Sequence, residues 1–290
     1  MFSRNFRVSL IEDNIVWGDK HANLAQLKRN MQNVPEDTDL VVLPELFTTG
    51  FVADRDQAMA LAERNIDETM NLIHQLAAKY QCAIAGSFLA HTAGQLFNRA
   101  FFIEPSGEET FYDKRHLFTF GGEDKVYKQG HTPAPIIRFR GFNIKMIICY
   151  DLRFPVFCRN VKNNYDILLV VANWPKAREN AWRQLLFGRA IENVAYVLGV
   201  NRCGVDNSGI EFSENSSFVI DFKGKLITER TTSPVIAADL SLPALNRFRE
   251  KFPVWQDADD FTIREANQNN ASHYVTNFNT GEQNDFLKNN

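Results

Sequence analysis

The sequence contains no long hydrophobic run. No stretch reaches the roughly 18 consecutive apolar residues that a membrane-spanning helix requires. The N-terminal segment from Met1 to Phe6 leads directly into a predicted strand and lacks the apolar core of a signal peptide. We therefore expect a cytoplasmic protein that has no membrane partner.

An excess of one charge is absent as well. The chain has 32 Lys and Arg residues against 35 Asp and Glu residues, which gives a formal net charge of −3. The sequence also has no block of basic residues that could attract an anionic surface locally. We therefore expect no nucleic-acid partner.

Cysteine is scarce and dispersed. The four cysteines, at positions 82, 149, 158 and 203, are too few and too scattered for a disulfide framework in a chain of 290 residues. No CxxC pair or Cys/His cluster has the spacing of a zinc site. We expect free thiols and no metal. Because an isolated cysteine is commonly a small buried hydrophobe, a chemical role must be argued from its neighbours.

The apolar residues that are present indicate layers of sheet and helix. Runs rich in β-branched residues alternate with helical patterns, and several runs are continuously apolar, which is typical of strands covered on both faces. The predicted strands are 6–11, 40–43, 83–88, 96–103, 109–112, 144–149, 167–171, 196–200, 217–221, 225–229 and 235–239. The predicted helices are 21–32, 66–80, 156–161, 178–192 and 242–251.

The chain shows no internal repeat and no linker in its middle, which favours one domain over residues 1–261. Residues 262–290 differ in composition, because they are rich in Asn and Gln and have no hydrophobic periodicity. We expect this segment to be either a flexible tail or an extension that packs on a partner subunit.

Three predicted strands are each followed at once by a reactive side chain. The side chains are those of Glu45, Lys114 and Cys149. In layered α/β folds the loops at the carboxyl ends of strands converge on a crevice, so these three groups could meet. A thiol that attacks an amide needs a base and a donor for the developing oxyanion, and a carboxylate and an ammonium supply them without a histidine. Taken singly, each residue is more commonly structural.

Other polar residues near these segments have weaker claims. His116 is expected to be structural or to contact the catalytic residues without touching the substrate. Asp151 is expected to cap the turn after Cys149. Cys158 and Cys203 have no charged neighbours of the same kind and are expected to be structural. The pair Gly121-Gly122 is too short to indicate a phosphate loop.

Longer motifs surround the three residues. They are Leu43-Pro44-Glu45-Leu46-Phe47, Tyr112-Asp113-Lys114-Arg115-His116-Leu117-Phe118, Cys149-Tyr150-Asp151-Leu152-Arg153-Phe154-Pro155, Asn173-Trp174-Pro175 and Lys251-Phe252-Pro253-Val254-Trp255-Gln256-Asp257. These motifs resemble the nitrilase superfamily of carbon–nitrogen hydrolases, whose catalytic Glu, Lys and Cys follow this order. In detail they are similar to the omega-amidase branch, which hydrolyses the distal amide of 2-oxo acids such as 2-oxoglutaramate.

The resemblance implies a role for each catalytic residue. Glu45 would be the general base, Cys149 the nucleophile and Lys114 a stabiliser of the tetrahedral intermediate. The backbone N–H of Tyr150 would be a second oxyanion donor. Glu123 matches a second glutamate that the family carries after the lysine, and it would orient the attacking groups. The reaction would pass through a thioester and need no metal or organic cofactor.

For the substrate, we expect Arg153 to bind a carboxylate through paired N–H donors, with Trp174 and Phe118 lining the pocket. The alternative for Arg153 is a pairing with Asp151 or a helix end that shapes the loop. In that case Arg202 is the next candidate for the carboxylate.

The resemblance also implies a fold, an α-β-β-α sandwich of two mixed sheets with helices outside, and a homodimer formed through the helix after Cys149. The sequence is compatible with three other functions. They are a related amidase or N-carbamoyl hydrolase, a binding module that keeps the fold without catalysis, and a papain-type protease. The protease would need a histidine base, and none of the six histidines stands in a matching motif.

Overall fold

The structure is a computed structural model, and it describes residues 5–230, 234–259, 261, 263–264 and 275–276. The α-helices in these residues are α1 (Lys20–Asn30), α2 (Arg55–Leu61), α3 (Glu68–Tyr80), α4 (Glu123–Val126), α5 (Pro155–Cys158), α6 (Glu179–Asn193) and α7 (Leu242–Lys251). The strands are β1 (Phe6–Ile11), β2 (Leu40–Val42), β3 (Ala83–Thr92), β4 (Gln95–Ile103), β5 (Glu109–Asp113), β6 (Ile136–Phe139), β7 (Phe142–Ile148), β8 (Ile167–Ala172), β9 (Tyr196–Asn201), β10 (Gly204–Val205), β11 (Glu211–Phe212), β12 (Phe218–Ile220), β13 (Glu229–Arg230), β14 (Val235–Leu240), β15 (Ile263–Arg264) and β16 (Val275–Thr276).

Two large mixed sheets form the centre of the molecule. The first has seven strands in the order β13-β14-β1-β2-β3-β4-β5, and the second has five in the order β12-β9-β8-β7-β6. Each sheet contains three parallel neighbours, β1-β2-β3 in the first and β7-β8-β9 in the second, flanked by antiparallel strands. The parallel neighbours bring the carboxyl ends of β2 and β7 within reach of a common crevice.

The main hydrophobic core lies between the sheets. Alternation along β2 shows how the sequence produces this, because successive side chains of a strand point to opposite faces. Leu40 and Val42 belong to the core between the sheets, whereas Val41 and Leu43 pack in a second core against helices. The all-apolar strand β8 lies entirely within the first core, as expected for a strand covered on both faces.

Helices cover both outer faces. Met70, Ile73 and Leu76 of α3 lie in the core that also holds the outer face of the seven-stranded sheet, at the i, i+3 spacing of one helix face. Trp182 and Leu186 of α6 pack in the same way on the five-stranded sheet. The predicted α-β-β-α sandwich is therefore confirmed. The described residues include no helix that is both long enough and apolar enough to span a membrane.

Several predicted elements were wrong in detail. Residues 225–229 do not form the predicted strand, because the N–H of Val219 bonds the hydroxyl of Thr228 in place of a backbone carbonyl, and β13 begins only at Glu229. The predicted helix 156–161 is the single turn α5, since the side chain of Asn160 pairs with Tyr165 and ends it. The strand predicted over 144–149 begins earlier, at Phe142, and ends at Ile148.

The helices α2 and α4 and the strand β6 were not predicted from the sequence. All three are short, between four and seven residues. Most of the predicted C-terminal segment, 262–290, lies outside the described residues. The exceptions are β15 and β16, which pair antiparallel.

Candidate active site

Glu45, Lys114 and Cys149 meet at the common end of the two sheets. Glu45 lies just beyond β2, and Lys114 follows β5, whereas Cys149 follows β7 of the other sheet. Lys114 Nζ lies 2.8 Å from Glu45 Oε1. Only 3% of Glu45 and 2% of Lys114 is exposed, so this ion pair is shielded from water. Three positions that are distant in the sequence thus share one buried site.

Glu123 joins the same cluster from the start of α4. Its two carboxylate oxygens lie 3.0 and 2.9 Å from Lys114 Nζ. One of them also accepts a hydrogen bond from the backbone N–H of Phe118 at 2.6 Å. The ammonium therefore lies between two buried carboxylates. Glu123 bonds both this ammonium and the loop that follows Lys114 in the chain.

Two residues that the sequence did not single out hold the carboxylates in place. The Nδ2 of Asn98, on β4, donates to Glu45 Oε1 at 2.7 Å and to Glu123 Oε1 at 3.3 Å. The hydroxyl of Ser87, on β3, donates to Asn98 Oδ1 at 2.9 Å and fixes the orientation of that amide. Both side chains are fully buried. Their sequence signal was a polar residue inside an apolar strand, because such a residue must find a buried partner.

Cys149 occupies a strained backbone position. Its φ of 42° lies in the left-handed region, which is uncommon for residues other than glycine. Such strain persists only where the surroundings enforce it, and it is concentrated at functional sites. The turn of 3-10 helix that begins at Cys149 therefore presents the thiol at the end of β7 in a fixed direction.

Asp151 supplies much of that enforcement. Its carboxylate is fully buried and accepts four hydrogen bonds. Oδ2 accepts from the N–H of Ile148 at 3.1 Å and from the hydroxyl of Tyr112 at 2.9 Å. Oδ1 accepts from the backbone N–H of His116 at 2.9 Å and contacts its Nδ1 at 2.8 Å. Asp151 thus joins the loop that carries Lys114 to the loop that carries Cys149.

The electrostatics of the cluster keep the thiol protonated. Burial raises the pKa of Cys149 well above its ordinary range, and the charge of Glu45 raises it further against the opposing effect of Lys114. Burial acts to lower the pKa of Lys114, but the carboxylates of Glu123 and Glu45 outweigh it, so this pKa lies well above its usual value. Burial also raises the pKa of Glu123, although Lys114 opposes the shift. A charged lysine beside a neutral thiol requires a separate base for the thiol proton.

Glu45 has the geometry for that base. Its Oε1 accepts from Lys114, while Oε2 accepts from the backbone N–H of Asn173 at 2.7 Å. It also lies close enough to Cys149 for a side-chain hydrogen bond with the thiol to contribute to the raised thiol pKa. A carboxylate held from both sides beside a thiol can take up a proton without moving.

The cluster opens into a cavity of about 160 Å³. The residues predicted to bind substrate all line it, together with residues that the sequence did not indicate. The predicted ones are Arg153, Trp174 and Phe118, and Tyr150, predicted as an oxyanion donor, lines the cavity as well. The additional ones include Phe51, Arg178, Asp206, Ile210 and Phe212. A cavity of this size, mostly apolar and with a few convergent polar groups, suits a small molecule rather than a protein chain.

Arg153 does not pair with Asp151. Its guanidinium lies over the ring of Trp174, 5.1 Å from the ring centroid, a distance at which a cation is attracted by the aromatic face. Arg202, the second candidate for a carboxylate, lies elsewhere. It is 1% exposed, and its guanidinium donates to the carbonyl oxygens of Ile15 and Cys203, so its N–H groups are used inside the protein.

The remaining cysteines stand apart from this chemistry. Burial raises the pKa of Cys82, Cys158 and Cys203 to about 11. None of the three lines the cavity. Among the residues that the structure describes, no group of three His, Cys, Asp or Glu side chains could hold a metal ion.

A four-layer sandwich that holds a carboxylate, an ammonium and a thiol at the common end of its sheets defines the class of protein as a hydrolase. The Carbon-nitrogen hydrolase family model matches residues 7–250. The chain belongs to this family and is an amide-hydrolysing enzyme.

Similar proteins match most of the chain. The omega-amidase YafV of Escherichia coli (strain K12) is 42% identical over 259 residues, which cover 89% of this chain and 98% of that protein. The 2-oxoglutaramate amidase of Bacillus subtilis (strain 168) is 28% identical over 255 residues, which cover 86% and 96%. A solved CN-hydrolase superfamily protein from Xanthomonas campestris, with an arsenic adduct in its active site, is 38% identical with a TM-score of 0.84 and covers 89% of this chain and 99% of its own.

Proposed function

We propose that this enzyme is an omega-amidase that releases ammonia from the distal carboxamide of a small 2-oxo acid, such as 2-oxoglutaramate or 2-oxosuccinamate. The carrying observation is the buried Glu45–Lys114–Glu123 cluster beside Cys149, in a cavity whose outer part contains the guanidinium of Arg153. The 42% identity to an omega-amidase supports the same substrate class.

The reaction begins at the thiol. Glu45 takes the proton from Cys149 as the sulfur attacks the carboxamide carbon, and the carbonyl oxygen becomes an oxyanion. Lys114 and the backbone N–H of Tyr150 stabilise that oxyanion. Glu45 then gives the proton to the leaving nitrogen. The C–N bond breaks, ammonia leaves, and the acyl group remains on Cys149 as a thioester.

Hydrolysis of the thioester uses the same base. Glu45 takes a proton from water, and the resulting hydroxide attacks the thioester carbon. The tetrahedral intermediate collapses, the C–S bond breaks, and the proton returns to the sulfur. Glu123 contacts Lys114 throughout and holds the ammonium toward the reacting carbon. Asn98 positions both carboxylates and does not itself line the cavity.

Substrate selection takes place in the outer part of the cavity. Arg153 binds the substrate carboxylate, because a guanidinium donates two parallel N–H groups to two carboxylate oxygens. Trp174 and Phe118 form apolar walls for the carbon chain between carboxylate and amide. The carboxylate thus fixes how deeply the amide enters.

The test is an ammonia assay over a panel of ω-amides and N-carbamoyl compounds, coupled to glutamate dehydrogenase. The panel contains 2-oxoglutaramate, 2-oxosuccinamate, glutamine, butyramide and N-carbamoyl-β-alanine. We expect the two 2-oxo acid amides to have the highest kcat/KM. A higher kcat/KM for N-carbamoyl-β-alanine would instead assign the enzyme to the carbamoyl hydrolases. Activity on butyramide alone would show that recognition requires no carboxylate on the substrate.

We further propose a single catalytic domain over residues 1–261 that acts as a homodimer in the cytoplasm. The family match over 7–250 supports the domain, and four free cysteines fit a reducing compartment. Val156 of α5 and Ile191 of α6 are 50% and 56% exposed and could be covered by a second copy. Light scattering should give twice the chain mass of 33.2 kDa, and a fully active monomer would refute the dimer.

A further inference from the structure

The cavity has opposite charge at its two ends. The buried end contains the carboxylates of Glu45 and Glu123 and the ammonium of Lys114, which together carry a formal charge of −1. Nearer the surface, the half-buried Arg153 and Arg178 contribute +2 and the half-buried Asp206 contributes −1, so this outer part carries a formal charge of +1. A substrate that is neutral at one end and anionic at the other would therefore be oriented before any chemistry takes place.

Arg178 is held in this outer part by its own backbone. Its N–H donates to the carbonyl of Pro175 at 2.9 Å, and its carbonyl accepts from Nε1 of Trp174 at 2.9 Å. Its guanidinium lies 5.1 Å from the ring centroid of Phe118. Arg178 is thus fixed to the residue on which Arg153 stacks, and each guanidinium covers one of the two aromatic walls.

Neither guanidinium has a carboxylate partner within 4.0 Å among the described residues. Asp206 also lines the cavity, but its Oδ1 accepts from the N–H and the hydroxyl of Ser208 and from the N–H of Ile210, at 2.9, 2.7 and 3.0 Å. Asp206 is therefore engaged by its own turn. The two guanidinium groups still outnumber this one carboxylate in the outer part of the cavity, so an anion that enters there is attracted.

We propose that Arg178 is a second carboxylate-binding residue of the substrate site, acting with Arg153, and that the charges of the cavity select an acid whose far end is a neutral amide. This inference rests on the proposed function. The two arginines bind the carboxylate and the adjacent 2-oxo oxygen, while the negative inner end accepts an uncharged carboxamide.

The same charges disfavour the product. Hydrolysis converts the neutral amide into a carboxylate, which then lies beside Glu45 and Glu123 with only Lys114 to compensate them. A dicarboxylate should therefore bind more weakly than a monocarboxylate with the same 2-oxo end, although it carries more negative charge. A simple basic patch would give the opposite order.

The experiment compares Arg178→Met with Arg183→Met. Arg183 also lies over aromatic rings, 5.1 Å from Phe187 and 5.3 Å from Phe218, but it does not line the cavity, so it controls for loss of an arginine from the same region. The kcat/KM is measured for 2-oxoglutaramate and for neutral butyramide. Calorimetry gives the Kd of two probes, 2-oxobutanoate and 2-oxoglutarate, for the intact enzyme and both variants.

We expect Arg178→Met to lower kcat/KM for 2-oxoglutaramate by about ten- to a hundredfold, since a hydrogen bond to a charged group is lost. Activity on butyramide should change less than about twofold, and Arg178→Lys should recover part of the loss because it restores the charge without the paired donors. Binding of 2-oxobutanoate should weaken in parallel, and the intact enzyme should bind it more tightly than 2-oxoglutarate.

Equal losses on the charged and neutral amides, or unchanged binding of 2-oxobutanoate by Arg178→Met, would overturn the inference. Tighter binding of 2-oxoglutarate than of 2-oxobutanoate would overturn the selection by charge. If the enzyme hydrolyses no 2-oxo acid amide, the proposed function fails. The calorimetry of 2-oxobutanoate then still decides whether Arg178 binds a 2-oxo carboxylate. If the intact enzyme does not bind 2-oxobutanoate, the role of Arg178 is refuted as well.

Discussion

Replacing Asp151 by Asn should lower both stability and catalysis, because the amide has one acceptor oxygen where the carboxylate has two. The carboxylate accepts two hydrogen bonds on each oxygen, and an amide keeps only one acceptor. If that oxygen serves His116, the new NH2 faces the N–H of Ile148, where two donors oppose each other. The hydroxyl of Tyr112 can turn to accept, so the net loss is close to one charged hydrogen bond.

Such a bond is worth roughly 1.5–3 kcal/mol. At about 2–4 °C per kcal/mol for a large domain, the melting temperature should fall by about 3–12 °C. Because Ile148 directly precedes Cys149, the left-handed backbone of the nucleophile also loses its restraint. A misplacement of about 1 Å can cost about a hundredfold in rate, so we expect kcat to fall by about ten- to a hundredfold with little change in KM.

Differential scanning calorimetry and the ammonia assay measure the two effects. Asp221→Asn is the matched control, because Asp221 Oδ1 accepts from the N–H groups of Lys223 and Lys225 in an exposed turn, and its melting temperature should shift by less than about 2 °C. A melting temperature and kcat of Asp151→Asn equal to those of the parent would refute the reasoning. A lower melting temperature with unchanged kcat would show that Asp151 stabilises the fold without positioning Cys149.

Three further predictions concern the buried cluster. Lys114→Met should lower kcat by about 10²–10³-fold, the usual cost of losing one oxyanion donor. Steady-state ammonia release measures this, and a change confined to KM would contradict it. Asn98→Ala should lower kcat because it frees both carboxylates, whereas Asn71→Ala, at an exposed helix position, should leave kcat unchanged in the same assay. The absorbance difference at 240 nm between the parent and Cys149→Ser should show no thiolate below pH 9.0, because burial and the charge of Glu45 raise this pKa. A titration step near neutrality would indicate a preformed thiolate instead.

The sequence predicts the layers of this fold well because burial leaves a periodic signal. The continuous apolar strand β8 and the one-sided helix α3 each carry a pattern that matches what covers them. The short elements α4 and β6 carry no comparable pattern, since four residues are too few for a period to appear. Tertiary contacts, not local propensity, determine them.

The site was predictable in part for a similar reason. Glu45 and Cys149 were found because a reactive residue directly after a buried strand is a pattern in the chain. The hydrogen bond from Asn98 to Glu45 and the link from Asp151 to His116 were not found from the sequence, because these contacts join segments that only folding brings together. Arg202, the reserve candidate for the carboxylate should Arg153 fail, could not be judged from the sequence either, because its guanidinium donates to backbone carbonyls of distant segments.

The central claim is that Cys149 forms a thioester with the substrate and that Glu45 acts as the base. Intact-protein and peptide mass spectrometry of the unsubstituted enzyme, quenched in acid during incubation with a slowly hydrolysed amide, tests it most directly, because the acyl-enzyme is populated during turnover. We expect an acyl group on the peptide that contains Cys149, and no adduct on the same peptide in Cys149→Ser. Glu45→Gln should form the acyl group far more slowly, because it lacks the base that takes the thiol proton. An adduct on Cys158 or Cys203, or undiminished ammonia release by Cys149→Ala, would contradict the account.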